Sequence, residues 1–220
     1  MELKANPGAG LTIGVVGGMG PYATVDLYKR LVDAFPTEKD WQKPRILIDS
    51  YSTIPSRVRA VLYHEKEEEV IKGISESVSN LIRFGANRII IACNTAHVFL
   101  PEVIKRIPES QDIIINIIEA AAQNVAKRGY KQIHLLASEG TVQTGIYKTV
   151  FSSQDIEVVN PTGEQLIEIR KLIEDVKQNR VSDTSLREFQ TIINQLACIA
   201  LLGCTELPVL YRMCGGGYNK

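Results

Sequence analysis

Two short cysteine motifs contain the residues of this sequence best suited to chemistry. Cys93 begins a Cys-Asn-Thr motif, and Cys204 begins a Cys-Thr-Glu motif. Each cysteine follows an apolar run of the kind that forms a buried strand. We therefore expect each thiol at the carboxyl end of a strand, where α/β proteins bind ligands. Two thiols facing each other across one pocket could remove a proton from one face of a carbon and return a proton to the other.

Both cysteines also have a structural alternative, because a free cysteine is often a small buried apolar residue. The hydrogen-bonding residues that follow Cys93 and Cys204 argue against it. Both thiols are expected at the start of the next helix or turn, a position that favours the thiolate. Cys198 is expected in the core, and Cys214 has no predicted role. His97, four positions after Cys93, is expected to be structural rather than to tune that thiol.

Composition excludes several classes of function. The 220 residues contain 25 Lys and Arg and 25 Asp and Glu, so the formal charge is zero and no basic block indicates nucleic-acid binding. The first residues lack the apolar core of a signal peptide, and no run is long enough to span a bilayer. The cysteines and histidines lack metal-site spacing. We therefore expect a cytoplasmic protein with reduced thiols and no metal, nucleic-acid partner or membrane association.

Strand-like and helix-like segments alternate along most of the chain. Strands are predicted over residues 11–16, 46–48, 88–93, 113–117, 133–137 and 198–202. Helices are predicted over residues 21–35, 66–84, 119–128, 139–151, 164–178 and 184–196. This alternation predicts an α/β fold of two similar lobes, each a parallel sheet flanked by helices, with the active site between the lobes.

The predicted lobes divide the chain in three segments. Residues 1–116 form the first lobe and contain Cys93, and residues 117–198 form the second. Residues 199–220 form a strand and tail that contain Cys204 and return towards the first lobe.

A glycine-rich turn, residues 17–21, joins the first strand to the first helix. Residues 18–23 satisfy the G-x-G-x-x-A pattern of dinucleotide-binding folds. That pattern also requires an acidic residue about 20 positions later, whereas Asp49 follows Gly18 by some 31 residues. We therefore favour a tight loop that bounds a small-molecule pocket over a dinucleotide site.

Taken together and in order, these motifs resemble the aspartate/glutamate racemase family. The glycine turn, Cys-Asn-Thr-Ala-His and Gly-Cys-Thr-Glu are all present, and the resemblance runs from about Thr12 to Pro208. The loop at residues 138–147 and the Pro-Ser-Arg segment at 55–57 match further family motifs. The resemblance implies two α/β lobes and a cofactor-independent, two-cysteine racemase of aspartate or glutamate. It also implies a homodimer.

The resemblance also implies roles for individual residues. Cys93 and Cys204 would be the catalytic pair. Arg57 would bind the side-chain carboxylate of the substrate, and Lys177 would have a similar role. The remaining predicted substrate-binding residues are Met19, Asn94, Thr95, Thr141 and Thr205.

Two departures from the family pattern keep alternatives open. Ser56 stands where the family usually has aspartate, which could change how Arg57 is held. Family members also typically continue past the second cysteine for about another strand and helix, which complete the first lobe. The sequence therefore leaves open how the first lobe is completed here. The alternatives are a single-thiol isomerase or decarboxylase of a small diacid, and a non-catalytic ligand-binding homologue.

Overall fold

The structure, a computed structural model, describes residues 10–215. Within that range the chain forms seven strands: β1 (Thr12–Gly17), β2 (Arg45–Ser50), β3 (Arg88–Ile91), β4 (Ile114–Ile115), β5 (Gln132–Leu136), β6 (Glu157–Val159) and β7 (Ala200–Leu202). It also forms ten α-helices: α1 (Pro21–Ala34), α2 (Arg57–Tyr63), α3 (Glu67–Arg83), α4 (Leu100–Arg106), α5 (Ile117–Lys127), α6 (Glu139–Gln143), α7 (Ile146–Ser152), α8 (Gly163–Lys177), α9 (Asp183–Asn194) and α10 (Leu207–Met213). None of the helices in this range is long and apolar enough to cross a membrane.

The strands form two parallel sheets flanked by helices, which confirms the predicted α/β class. The first sheet has the order β2-β1-β3-β4 and the second has the order β6-β5-β7. We call the first sheet with α1–α4 the first lobe, and the second sheet with α5–α10 the second lobe. Because all strands within a sheet are parallel, their carboxyl ends lie along one edge, and that edge is where the loops can form a site.

Helix α3 shows why these sequences form these elements. Its apolar residues recur at helical spacing, so Val70, Ile74, Val78 and Leu81 are buried together on one face. They pack in one cluster with strand residues that include Ile89. The rigid pairing of α3 with the first sheet fixes the position of the loop after β3.

Several predicted elements differ in the structure. Residues 139–151 do not form one helix: Gly145, with φ of 64°, separates α6 from α7. Cys198 is wrong as a core residue, since β7 begins only at Ala200 and the Cys198 side chain is partly exposed in a bend before it. The sequence also missed α2, α4, β6 and α10, all of which are short.

The segment that contains Cys204 contacts both lobes. Its strand, β7, pairs with β5 in the second sheet. The following helix, α10, packs on α8 and α9 and also contacts α1 of the first lobe. The residue bounds predicted for the lobes stay a prediction, and residues 216–220 of the predicted tail lie outside the described residues.

The glycine turn after β1 is packed against the loop after β2. Gly18 has φ of 81°, and a Cβ there would come within 2.6 Å of the backbone nitrogens of Tyr51 and Ser52. The Gly18 backbone N–H donates to the Thr24 hydroxyl in α1 at 2.9 Å. This close approach of two backbones explains the glycine, and it fixes the neighbouring Met19, which is 3 % exposed.

Replacing Gly18 with alanine should therefore destabilise the fold more than the same change at Gly85. Both have positive φ, but a Cβ at Gly85 meets nothing within 4 Å. We expect a loss of about 1 kcal/mol for Gly85→Ala from the backbone alone and about 3 kcal/mol for Gly18→Ala, where a clash is added. Urea unfolding measures both; equal losses would contradict the clash.

His97 lies in the 3-10 turn Thr95–Phe99 and joins two elements. Its Nδ1 donates to the Cys93 carbonyl at 2.9 Å, and its Nε2 accepts from the Ile117 backbone N–H at 3.4 Å. The ring is 2 % exposed, and this burial lowers its pKa from 6.5 to about 4. His97 is thus a neutral link between the end of β3 and the start of α5.

The lowered pKa of His97 predicts an acid-sensitive fold. Below pH 6.5 the unfolded chain takes up a proton at this ring and the folded chain does not, so stability falls as the pH drops from 6.5 to about 4. The loss over that window should approach about 3 kcal/mol. Urea unfolding at several pH values should show a flatter profile for His97→Gln; an identical slope would contradict this origin.

Candidate active site

The carboxyl ends of β3 and β7 bring both predicted catalytic cysteines to one cavity of about 40 Å³. Cys93 is two residues beyond β3, and Cys204 is two residues beyond β7. The cavity is lined by both lobes: Met19, Ser56, Arg57, Val58, Cys93, Asn94, Thr95, Ser138, Ile173, Lys177, Cys204, Thr205 and Glu206. Every residue predicted for the site is therefore at the cavity except Thr141.

Thr141 lies behind the cavity wall. It is 1 % exposed, and its hydroxyl is 2.9 Å from that of Thr95 and 3.1 Å from that of Ser138. Ser138, which caps α6, is in the lining instead. Thr141 is thus absent from the lining of this cavity, because its first-turn position in α6 turns the hydroxyl towards Thr95, and its contact with a substrate stays a prediction.

Cys204 has an acidic partner. Its thiol donates to Glu206 Oε2 at 2.9 Å, and Glu206 is itself only 2 % exposed. Burial raises the pKa of Cys204 well above its ordinary value, and the charge and hydrogen bond of Glu206 raise it further, while Lys177 opposes them. At neutral pH the Cys204 sulfur therefore carries its proton.

Glu206 is enclosed from several sides. Thr205 Oγ1 lies 3.3 Å from Glu206 Oε2 and 3.3 Å from the Ala92 carbonyl in the first lobe. Glu206 Oε1 has no hydrogen-bond partner among the described residues. A Cβ on Gly20 would come within 3.0 Å of this oxygen, so the glycine turn makes room for the carboxylate. An acceptor buried without a partner remains available to a ligand donor.

Lys177 provides a positive charge that interacts with the Glu206 carboxylate. Its ammonium binds Glu174 at 2.9 Å, one turn earlier in α8. Burial lowers the pKa of Lys177, but the hydrogen bond to Glu174 and the charge of Glu206 outweigh burial and leave the pKa raised. The side chain is thus a cation at the cavity, held by a carboxylate that is itself about half exposed.

Arg57 is held by the backbone rather than by an acid. Its Nη1 donates to the carbonyls of Ile54 and Pro55, and its Nη2 donates to the Met19 carbonyl at 2.8 Å. These bonds tie the glycine turn to the start of α2, which Ser56 caps. Within the Arg57 guanidinium, the Nε is buried and has no hydrogen-bond partner among the described residues.

Two sets of uncharged hydrogen bonds join the lobes beside the cavity. The hydroxyls of Thr95, Ser138 and Thr141 lie 2.9–3.1 Å from one another; we call these three the hydroxyl cluster. Next to it, the Tyr147 hydroxyl donates to Asn94 Oδ1 at 2.6 Å. Thr95 and Asn94 follow Cys93, so both contacts fix the segment that contains the first thiol.

A larger cavity of about 330 Å³ adjoins the catalytic one between α2 and α8. The two share Ser56, Val58, Ser138, Ile173 and Lys177 in their linings. The larger cavity therefore lies next to the one that contains the thiols. A shallow groove of about 930 Å³ along α3 and the end of β2 is larger still, but neither catalytic cysteine lines it.

Sequence reasoning gave no role to Glu206, Ser138 or Tyr147. Glu206 follows Cys204 by two residues, so the motif itself was a usable signal. Ser138 precedes an acidic residue at a helix start, which is a capping pattern. Tyr147 is 53 residues from Asn94, and no spacing rule predicts that contact.

The chain is similar to known racemases in sequence. The family model described as Asp/Glu/Hydantoin racemase matches residues 16–215. A broad specificity amino-acid racemase from Bacillus subtilis (strain 168) is 26 % identical over 202 residues, which cover 89 % of this chain and 85 % of the relative. A glutamate racemase from Aquifex aeolicus is 26 % identical over 157 residues, 69 % of this chain but only 59 % of that protein.

Solved structures show the same similarity. An aspartate racemase from Picrophilus torridus has a TM-score of 0.80 and 28 % identity, covering 91 % of this chain and 83 % of that one. An aspartate racemase homologue from Pyrococcus horikoshii has a TM-score of 0.69 and 26 % identity, covering 90 % and 87 %. The family model spans nearly the whole chain and the two-sheet fold agrees with it, so this protein belongs to the Asp/Glu/Hydantoin racemase family.

Proposed function

We propose that this protein racemises an acidic amino acid, aspartate or glutamate or both, through Cys93 and Cys204 and without a cofactor. The observation that carries the proposal is the single cavity lined by both thiols, one from each lobe. A Cα–H bond is a very weak acid, so its proton must be removed by a base on one face while an acid waits on the other. Two cysteines provide both groups without rotation of the substrate.

In the proposed reaction, each proton that leaves one group is taken up by another. One cysteine, as thiolate, takes the Cα proton and becomes a thiol. The other cysteine, as thiol, gives its proton to the opposite face of the resulting carbanion and becomes a thiolate. Because Cys204 donates to Glu206 at rest, Cys204 begins as the acid and Cys93 as the base. The opposite enantiomer would require the reverse arrangement, with the Cys204 proton moved first.

Polar groups at the cavity can hold the two carboxylates of such a substrate. Asn94, Thr95 and Thr205 lie beside the thiols and suit the α-carboxylate and amine. Lys177 can bind the side-chain carboxylate by exchanging it for Glu174. Arg57 contributes positive charge at the same cavity, although a bidentate pair would require it to release bonds to backbone carbonyls.

The names of the relatives support an amino-acid substrate and leave its side chain open. Two are called aspartate or glutamate racemase, and one is called a broad specificity amino-acid racemase. The proposed substrate range is therefore tested with a panel of L-amino acids beside the two acidic ones. A homodimer and a cytoplasmic location remain part of the proposal.

Incubation in D₂O should reveal the reaction directly. With L-aspartate or L-glutamate, we expect loss of the Cα proton signal in NMR spectra together with formation of the D-isomer. Cys93→Ala and Cys204→Ala should each lower racemisation by about a thousandfold or more, because each removes one of two required proton carriers. Cys198→Ala, which lies outside the cavity, should keep full activity.

Other results would redirect the proposal. Exchange of the Cα proton without the D-isomer would favour a single-thiol isomerase. Stabilisation of the protein by L-aspartate or L-glutamate in thermal unfolding, with no exchange by folded and reduced protein, would favour a ligand-binding homologue.

The resting proton on Cys204 gives a second test. Glu206→Gln removes the carboxylate charge that raises the pKa of Cys204, so the thiolate fraction should increase. We expect alkylation of Cys204 by iodoacetamide at pH 8 to become about three- to tenfold faster. Peptide mass spectrometry reads the rate, with Cys93 as internal reference and Glu174→Gln as the control variant. Unchanged or slower alkylation of Cys204 would contradict the assignment.

A further inference from the structure

Tyr147 is a buried residue of the second lobe that contacts the segments of both catalytic cysteines. Its hydroxyl donates to Asn94 Oδ1 at 2.6 Å, and Asn94 directly follows Cys93. Its Cε2 atom lies 3.4 Å from where a Cβ on Gly203 would stand, and Gly203 directly precedes Cys204. One rigid ring therefore spaces the two strand ends that present the thiols.

Tyr147 remains a hydrogen-bond donor in this environment. The residue is 3 % exposed, and its ring packs at 5.6 Å from that of Phe151. Burial raises its pKa, and a negative charge on Cys204 would raise it further, so the phenol keeps its proton. A phenol that keeps its proton and donates it requires an acceptor, and the carbonyl oxygen of the Asn94 amide is that acceptor.

The orientation of Asn94 follows from this bond. An amide with its oxygen towards Tyr147 must direct its nitrogen elsewhere, and Asn94 lines the catalytic cavity. Within residues 10–215 the Asn94 nitrogen has no hydrogen-bond acceptor. It is therefore a free donor beside Cys93, and a donor can bind a carboxylate but not an ammonium group.

We propose that Tyr147 is a positioning residue, whose hydroxyl fixes the Asn94 amide with its nitrogen towards the cavity. This inference rests on the proposed function, because the orientation of Asn94 affects ligand binding only if this cavity receives the substrate. Tyr147 acts only through Asn94 and does not touch the reacting atoms.

A double-mutant cycle with Tyr147→Phe and Asn94→Ala tests the inference. The probes are succinate, a dicarboxylate without an amine, in calorimetry, and the amino acid that the wild-type protein racemises, in kinetics. Tyr147→Phe should weaken succinate binding and raise KM by about tenfold, with kcat within about threefold. In the Asn94→Ala background the same change should have no further effect, because Tyr147 acts through Asn94.

Two control variants separate positioning from general packing. Phe151→Leu disturbs the ring packing but leaves the hydroxyl of Tyr147, and Tyr130→Phe removes an exposed hydroxyl elsewhere. Both should keep the succinate affinity. Multiplicative losses in the double mutant, an unchanged affinity in Tyr147→Phe, or an equal loss in Phe151→Leu would each overturn the inference. Succinate binding is measured without turnover, so a failure of racemisation alone would count against the proposed function and not against this role.

Discussion

The site depends on two buried hydroxyl groups and one partly buried hydroxyl group, which bond to one another where the two lobes meet. Thr95 comes from the first lobe, and Ser138 and Thr141 come from the second. Each hydroxyl has one donor and can accept, so three of them close a ring in which every donor is used. A partly satisfied ring would leave a buried polar group without a partner, which costs about 1–3 kcal/mol. These bonds hold the two lobes together beside the thiols.

The charged residues of the site lie around the uncharged hydroxyl cluster and are not part of it. Glu206 is buried on the Cys204 side, and Lys177 stands between it and the more exposed Glu174. Glu206 holds a proton on the adjacent sulfur, whereas Lys177 limits the cost of burying that carboxylate. The two cysteines are therefore chemically unequal even though both follow the end of a parallel strand. An enzyme that acts on both enantiomers would need the Cys204 proton to move first in one of the two directions.

The sequence predicts the positions of the thiols well because that prediction uses local rules. Apolar runs before Cys93 and Cys204 predict strands, and parallel strands bring their ends to one edge. Local rules do not predict the contacts between the lobes, because these contacts depend on how two separate sheets pack against each other. Thr141 was expected at the substrate but lies behind Thr95, and the short helix α2 lacks enough turns for a periodic signal.

The size of the catalytic cavity has a thermodynamic consequence. A space of about 40 Å³ holds about three water molecules at most, which is less than any dicarboxylic amino acid occupies. A substrate in the adjoining cavity of about 330 Å³ can reach the thiols only if the residues that line both cavities move. The measured dissociation constant is therefore a net quantity, in which part of the contact energy offsets the work of opening. A change that makes this opening easier without removing or misplacing a substrate contact would tighten binding.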